Sequence, residues 1–334
     1  MGRGDPRFIE LNCSYHNCYV TDNRTYLSDI RHFDAIVFHG TDVINMNYNQ
    51  LPNKRSPSQK YVFGATESAQ RIIVCDPVLE NFFNWTWTHK LDSDIRWSHI
   101  LIYNLDGHEV GPTLNMKWPK KMNPVKNKKI RAILDGKTKA AAWFASQCQT
   151  LGKRENFAKT LKQELSKLKL KLDVYGKCGK LKCAKDNLNQ CYDLVKRHYY
   201  FYLSFESYVS TDYVTEKLLI ALNNFAIPVV YGGADYSRFL PPGSYLNARE
   251  LGPKQLAKTM EEIIKNRTRF YDYFRWRNHF RYKARGLLNE ICNICTALND
   301  DKKAKNYYHL NIFRRWWNEQ YNNRCNNKKE LYDE

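Results

Sequence analysis

Apolar positions along this 334-residue chain follow two different periods. Tyr199-Tyr-Phe-Tyr-Leu-Ser-Phe205 and Ala226-Ile-Pro-Val-Val-Tyr231 are short runs rich in aromatic and β-branched residues, and both read as buried strands. Gly232-Gly233 stops the second. Between them Val214, Leu218 and Leu222 recur every four residues, and Leu219 and Ala226 widen the stripe, which predicts a helix with one apolar face. Thr211 or Asp212 is its expected N-cap, since a side-chain oxygen there can accept an orphan backbone N–H. Strand, loop, helix, strand predicts a βαβ unit in a parallel sheet. Residues 153–171 predict a longer amphipathic helix, with Phe157, Leu161, Leu165 and Leu168 on one face and lysines outside.

Earlier in the chain, Ala35–His39, Lys60–Gly64, Arg71–Cys75 and Ile100–Tyr103 are expected strands separated by polar loops. Met116–Lys129 carries two prolines and six lysines without apolar periodicity. It marks residues 121–129 as a linker between a domain of residues 1–120 and a domain of residues 130–334 that ends in helices. Two α/β halves around a linker predict a cleft between them.

Composition places the chain among globular proteins, with 43% hydrophobic and 14% aromatic residues. Its formal net charge of +19 calls for an anionic partner: nucleic acid, a membrane surface or a phosphate-bearing substrate. Nucleic acid is set aside. The basic residues are dispersed, and zinc-finger spacing, an RNP-like strand and basic-zipper heptads are all missing from the sequence. Phe274, Trp276 and Phe280 interleave with arginines, but at helical spacing they read as packing residues.

Ten cysteines include the close groups Cys13/Cys18, Cys178/Cys183/Cys191 and Cys292/Cys295. A structural zinc site at Cys292-x-x-Cys295 would want a second ligand pair, and only Cys325 and His309 lie downstream. Disulfides are therefore expected, one of them between Cys292 and Cys295, which implies an oxidising compartment. Four N-glycosylation sequons begin at Asn12, Asn23, Asn84 and Asn266. The sequence shows neither a signal peptide nor an apolar run of about 18 residues. The expectation is a luminal protein whose N-terminal anchor is absent from this chain.

Asp212-Tyr-Val-Thr-Glu-Lys-Leu218 places an acid and a base side by side at the predicted helix start. In parallel sheets, ligands bind beyond the strand C-termini against helix N-termini, where free N–H groups favour anions. Lys217 would add a charge to such a site and Glu216 could accept hydrogen bonds from sugar hydroxyls.

Phe201–Lys217, followed by Ala221-Leu222 and Ile227–Gly232, resembles the signature of α-1,3-fucosyltransferases. Phe83-Asn-Trp-Thr86 and Asp92-Ser-Asp-Ile95 are similar to the family's amino-terminal pattern. Ala142–Cys148, Asp173–Gly179, Tyr271–Arg277 and Cys292–Cys295 are similar to later ones. The resemblance runs in order from about residue 60 to 295 and implies a GT-B type α/β fold, two Rossmann-like domains facing a cleft. It implies GDP-fucose as donor, held by Arg154, Ser207, Tyr213, Glu216 and Lys217, with Arg154 and Lys217 on the diphosphate. It implies a glycoprotein glycan with N-acetylglucosamine as acceptor, no required cofactor, and a Golgi lumen enzyme of type II topology in full-length form. Stimulation by a divalent ion such as Mn²⁺ is compatible with it.

The chain departs from the family at Ser207, where the usual residue is Asn, so a hydroxyl replaces an amide that both donates and accepts. A weak or inactive protein that binds only glycan or GDP is the alternative this raises. Asp92-Ser-Asp94 invites a metal reading, but that role belongs to another fold, and a structural part in a loop is expected. Inverting transfer needs a carboxylate base. Glu67 matches the family's Glu-Ser segment where the base is placed, with Glu80 and Asp92 in reserve.

Overall fold

The computed structural model describes residues 4–183, 188–285, 290–305 and 312–326. The chain divides into two compact units, Met1–Ser98 with Arg285–Glu334, and His99–Ala284. Among the described residues, no helix is long and apolar enough to cross a membrane.

The first unit is built on a four-stranded parallel sheet: β1 (Ala35–His39), β2 (Lys60–Ala65), β3 (Trp85–Thr88) and β4 (Ile95–Arg96), in that spatial order. β2 lies between β1 and β3 and is buried along its whole length, as a strand covered on both faces must be. Tyr61, Phe63 and Ala65 point to a core shared with Phe313 and Trp317, while Val62, Trp85 and Trp87 point to one shared with Ile294 and Ala297. Both covering helices, Glu290–Leu298 and Phe313–Trp317, come from the end of the chain. The C-terminal helices therefore belong with the first unit, not with residues 130–290 as expected.

Arg71–Cys75 is not a strand. Its backbone groups find side chains instead of a ladder: Val74 N–H donates to Asn318 Oδ1 at 3.0 Å, and Trp317 Nε1 donates to the Ile72 carbonyl at 2.7 Å. Five disulfides use all ten cysteines: Cys13–Cys292, Cys18–Cys295, Cys75–Cys325, Cys148–Cys178 and Cys183–Cys191. The expected Cys292–Cys295 bridge is thus overturned. The two residues sit three apart on one helix face, and each bonds a different cysteine of the amino-terminal segment.

The second unit begins with β5 (Ile100–Asn104) and β6 (Glu109–Gly111). Its main sheet is parallel, made of β7 (Lys139–Phe144), β8 (Leu172–Tyr175), β9 (Tyr199–Phe205), β10 (Ile227–Tyr231) and β11 (Leu246–Asn247), in the order β11-β10-β9-β7-β8. Phe201, Leu203 and Phe205 of β9 face a core with Leu161, Leu165, Leu256 and Met260 from helices Arg154–Lys167 and Ala248–Lys265. Tyr199 and Tyr202 face another with Val195 and Ala221, from helices Leu188–His198 and Lys217–Asn223. Each fully buried Phe or Leu here contributes about 1.5–3 kcal/mol relative to an exposed one. Each unit thus holds a parallel sheet with helices on both faces, the α/β, Rossmann-like organisation of the GT-B type.

The expected linker is packed into the second unit. Val125 joins its core, Met122 O accepts from Arg275 Nη1 at 3.2 Å, and Asn123 N–H donates to His279 Nε2 at 3.2 Å. Phe274, Trp276 and Phe280 are buried packing residues as expected. They are not on one helix, however: Arg275–Asn278 is a 3₁₀ turn, and β12 (Phe280–Ala284) pairs antiparallel with β5.

Candidate active site

The C-terminal ends of β7, β9 and β10 bring two helix starts together in the second unit. Immediately after β9, the Glu206 N–H donates to Tyr231 O at 2.8 Å, which extends the pairing with β10 by one step. The Glu206 carboxylate is buried. Its Oε1 accepts from Thr215 N at 2.8 Å and from Thr215 Oγ1 at 3.0 Å, and its Oε2 accepts from Lys217 Nζ at 3.1 Å. The ammonium also donates to Thr215 Oγ1 at 2.6 Å and lies 3.5 Å from Glu216 Oε1.

The helix that follows is Lys217–Asn223, later than the expected caps allow. Asp212 has left-handed backbone (φ 56°), its buried carboxylate pairs with Arg238 Nη1 at 3.3 Å, and it is not the N-cap of this helix. Thr211 does not cap the helix either, which starts six residues later. Glu216 occupies the N-cap position without a side-chain cap bond, and the Glu206 carboxylate takes the Thr215 N–H instead.

Burial alone would push the Lys217 ammonium down, but Glu206 and then Glu216 more than offset this and hold it above its ordinary value. Burial would likewise raise Glu216, yet Lys217 holds it low. Both groups are ionised at neutral pH.

The second cation comes from the start of helix Arg154–Lys167. Thr150 N and Oγ1 both donate to the Glu155 carboxylate, fixing the turn that enters the helix. Gly152 N–H donates to Ser207 O at 2.9 Å, and a Cβ on Gly152 would stand 2.8 Å from that oxygen, so the close approach requires glycine. Arg154 is only 3% exposed. Its Nη1 donates to Phe205 O at 2.5 Å, its guanidinium lies 5.7 Å over the Trp143 ring, and its Nε has no hydrogen-bond partner. Burial pushes the guanidinium below its ordinary value, with Glu206 and Glu155 opposing the shift. A guanidinium stays charged regardless.

Of the other expected donor residues, Ser207 is buried and its Oγ donates to Gln147 Oε1 at 3.2 Å. Tyr213 is buried on the same loop, edge-on to the His99 ring at 5.8 Å between centroids. The Glu216 side chain is 64% exposed. The structure thus brings Arg154, Ser207, Tyr213, Glu216 and Lys217 onto one rim of one sheet. The residue the sequence reading passed over is Glu206. It was visible in the same motif, but a buried carboxylate nine residues before its partner leaves no periodic signal.

In the first unit, Glu67 follows β2 and pairs with Arg71 Nη1 at 3.3 Å, its side chain 37% exposed. Glu80 accepts from Arg314 Nε at 2.5 Å. Asp92 accepts from Trp316 Nε1 at 2.8 Å, and Asp94 accepts from both Thr86 N and Thr86 Oγ1 at 2.8 Å. The acid pair is engaged in loop structure, as expected. Among the described residues, no group of three or more His, Cys, Asp or Glu side chains is placed to hold a metal ion.

The sequon asparagines Asn12, Asn23 and Asn266 are exposed, whereas Asn84 is 1% exposed. Its Oδ1 accepts from Tyr61 N at 2.8 Å. A glycan cannot be attached to a side chain buried this way, so the expectation at Asn84 is corrected.

Two family descriptions match the chain: "Fucosyltransferase, N-terminal" over residues 4–100 and "Glycosyltransferase family 10 (fucosyltransferase) C-term" over residues 134–313. Alpha-(1,3)-fucosyltransferase C of Drosophila melanogaster is 34% identical over 310 residues, 92% of this chain and 71% of that protein. A 4-galactosyl-N-acetylglucosaminide 3-alpha-L-fucosyltransferase of Gorilla gorilla gorilla is 29% identical over 89% of this chain and 72% of its own length. Glycoprotein 3-alpha-L-fucosyltransferase A of Drosophila melanogaster is 25% identical over 94% of this chain and 57% of its own length. A crystal structure of an alpha1,3-fucosyltransferase superposes with a TM-score of 0.48 and 16% identity, over 83% of this chain and 80% of that one. With both family descriptions spanning most of its length and a relative at 34% identity, the chain belongs to glycosyltransferase family 10, the fucosyltransferases.

Proposed function

We propose that this enzyme moves L-fucose from GDP-fucose, with inversion and in α-1,3 linkage, to N-acetylglucosamine of glycoprotein N-glycans or related glycans. The observation that carries this reading is the pair of cations at two helix starts beyond the parallel strands: buried Arg154 and partly exposed Lys217. As the bond from the fucose anomeric carbon to the phosphate oxygen breaks, the diphosphate gains negative charge. Two cations held in place before the reaction stabilise that charge where it develops. Glu216, reaching solvent beside them, takes fucose hydroxyls.

The acceptor hydroxyl attacks the anomeric carbon from the face opposite GDP, and a carboxylate removes its proton. We assign this to Glu67, whose position directly after β2 and accessible carboxylate support the role. The names of the relatives support fucose as the transferred sugar and α-1,3 as the linkage. Five disulfides support an oxidising compartment, for which we propose the Golgi lumen.

Incubation with GDP-fucose and a panel of defined glycans, with product mapping by mass spectrometry, tests this reading. Fucosylated N-acetylglucosamine is the expected product. One observation favours a second reading, a binder with weak or no turnover: the Ser207 hydroxyl is engaged with Gln147. GDP binding without product on any acceptor establishes that second reading, and failure to bind GDP removes the first.

A further inference from the structure

Lys217 does not stand alone at its helix start. Its ammonium, the Thr215 hydroxyl and the Glu206 carboxylate form a closed triangle of contacts: 2.6 Å from Nζ to Thr215 Oγ1, 3.1 Å from Nζ to Glu206 Oε2, and 3.0 Å from Thr215 Oγ1 to either Glu206 oxygen. The carboxylate is 2% exposed as a side chain, whereas that of Lys217 is 24% exposed, so the cation is the member of the triangle that reaches the rim. Glu206 is itself anchored by its backbone bond to Tyr231 and by the Thr215 N–H.

An unsupported lysine is a flexible four-carbon arm with a strongly hydrated head, and ordering it on substrate arrival would cost rotamer entropy at each turnover. Here that ordering is built into the folded state. We infer that Glu206 is a positioning residue for fucosyl transfer, holding Lys217 through the shared Thr215 hydroxyl at the place where leaving-group charge appears. This rests on the reading of the site as a GDP-fucose site.

The arrangement has a particular energetic signature. Glu206 is an anion beside a cation that must meet another anion, so it weakens ground-state attraction for the diphosphate while it improves placement. Replacing it with a neutral isostere therefore moves the two effects in opposite directions for binding. The effect of misplacement alone falls on the chemical step.

The test uses Glu206→Gln, Lys217→Ala, the double variant, and Thr215→Val, a near-isosteric change that deletes the shared hydroxyl. Glu206→Gln should lower kcat by roughly 10- to 100-fold while GDP affinity stays within about threefold of wild type. In the Lys217→Ala background it should cause no further loss of kcat, because its influence passes through the lysine. Thr215→Val should reproduce the kcat loss at about tenfold with GDP affinity kept, and it carries the test if Glu206→Gln does not fold. Losses that multiply in the double variant, or wild-type turnover in Thr215→Val, overturn the inference. Failure of the underlying reading looks different: Lys217→Ala then leaves GDP affinity and turnover unchanged, whatever the Glu206 variants do.

Discussion

Arg154 Nη1 donates to the main-chain carbonyl of Phe205, 51 residues further along, at 2.5 Å. The bond joins a helix start to the end of the central strand β9, and it leaves Nε unpaired inside the protein. One edge of the guanidinium is thus structural, tying the helix start to the strand end.

Arg154→Lys should separate charge from geometry. Lysine keeps the positive charge but cannot serve the Phe205 carbonyl and a phosphate oxygen together. GDP affinity is expected to fall by about tenfold, and folding stability by about 1–3 kcal/mol as the buried carbonyl loses its donor. Calorimetric titration and denaturant unfolding of the same preparation check both.

Glu67→Gln addresses the chemistry in the other unit. It keeps size and hydrogen bonding but removes the proton acceptor. Turnover should fall by roughly 10²–10⁴-fold with GDP affinity nearly unchanged. Turnover within about tenfold of wild type would show that Glu67 is not the base. Glu80 is the less suited reserve, since Arg314 already holds it, and Asp92 would be examined next.

Peptide mapping without reduction should recover Cys13 linked to Cys292 and Cys18 linked to Cys295. A peptide closed by Cys292 and Cys295 alone would contradict the fold of the first unit. Removing either of the two long bridges should cost about 2–5 kcal/mol.

Glycopeptide analysis of protein made through a secretory pathway should find Asn12, Asn23 and Asn266 modified and Asn84 bare. Asn84→Gln, by contrast, should destabilise the first unit by about 1–3 kcal/mol, because the longer side chain misplaces the oxygen that receives the Tyr61 N–H. A folded fraction carrying glycan at Asn84 would refute the placement of β2 and β3.

Lys137 gives a pH signature outside the site. Its buried ammonium donates to the carbonyls of Val195, Lys196 and Asn224, at the ends of two helices, and burial pushes it down to about 7. Below pH 7 folded and unfolded chains both hold the proton, so the group adds no slope. Above it the unfolded chain still binds a proton that the folded one has released, and stability should rise by up to about 1.4 kcal/mol per pH unit. Unfolding curves between about pH 7 and 9 should lose this increment in Lys137→Met; equal slopes would show the lysine stays charged on its three carbonyls.

Where local pattern and tertiary structure coincide, the sequence was a sufficient guide. Tyr199–Phe205 is a continuous apolar run and forms β9 over those same residues, because a central parallel strand is covered on both faces. Leu161 and Leu165 point inward from their helix as their spacing predicts. The start of the helix at Lys217 was not legible. The Thr215 N–H just before it is taken by the Glu206 carboxylate next to the preceding strand, and the N-cap residue Glu216 makes no side-chain cap bond, which no local capping rule anticipates. The partners of Cys292 and Cys295 were equally hidden, lying 279 and 277 residues away. The unit boundary misled for a related reason: proline and lysine density suggested a linker, but Val125 and Met122 turn the segment into packing.

The first unit is written in two pieces, Met1–Ser98 and Arg285–Glu334, with the whole second unit between them. During synthesis, therefore, β1–β4 leave the ribosome long before the helices that cover Phe63 and Trp87 exist. The native bridges of Cys13, Cys18 and Cys75 cannot form until Cys292, Cys295 and Cys325 arrive. The second unit, by contrast, emerges as one uninterrupted segment and can close its own two bridges on the way. Assembly is thus ordered by the reading direction of the message: the second unit is complete in the chain first, and the first unit is sealed only by helices that follow it.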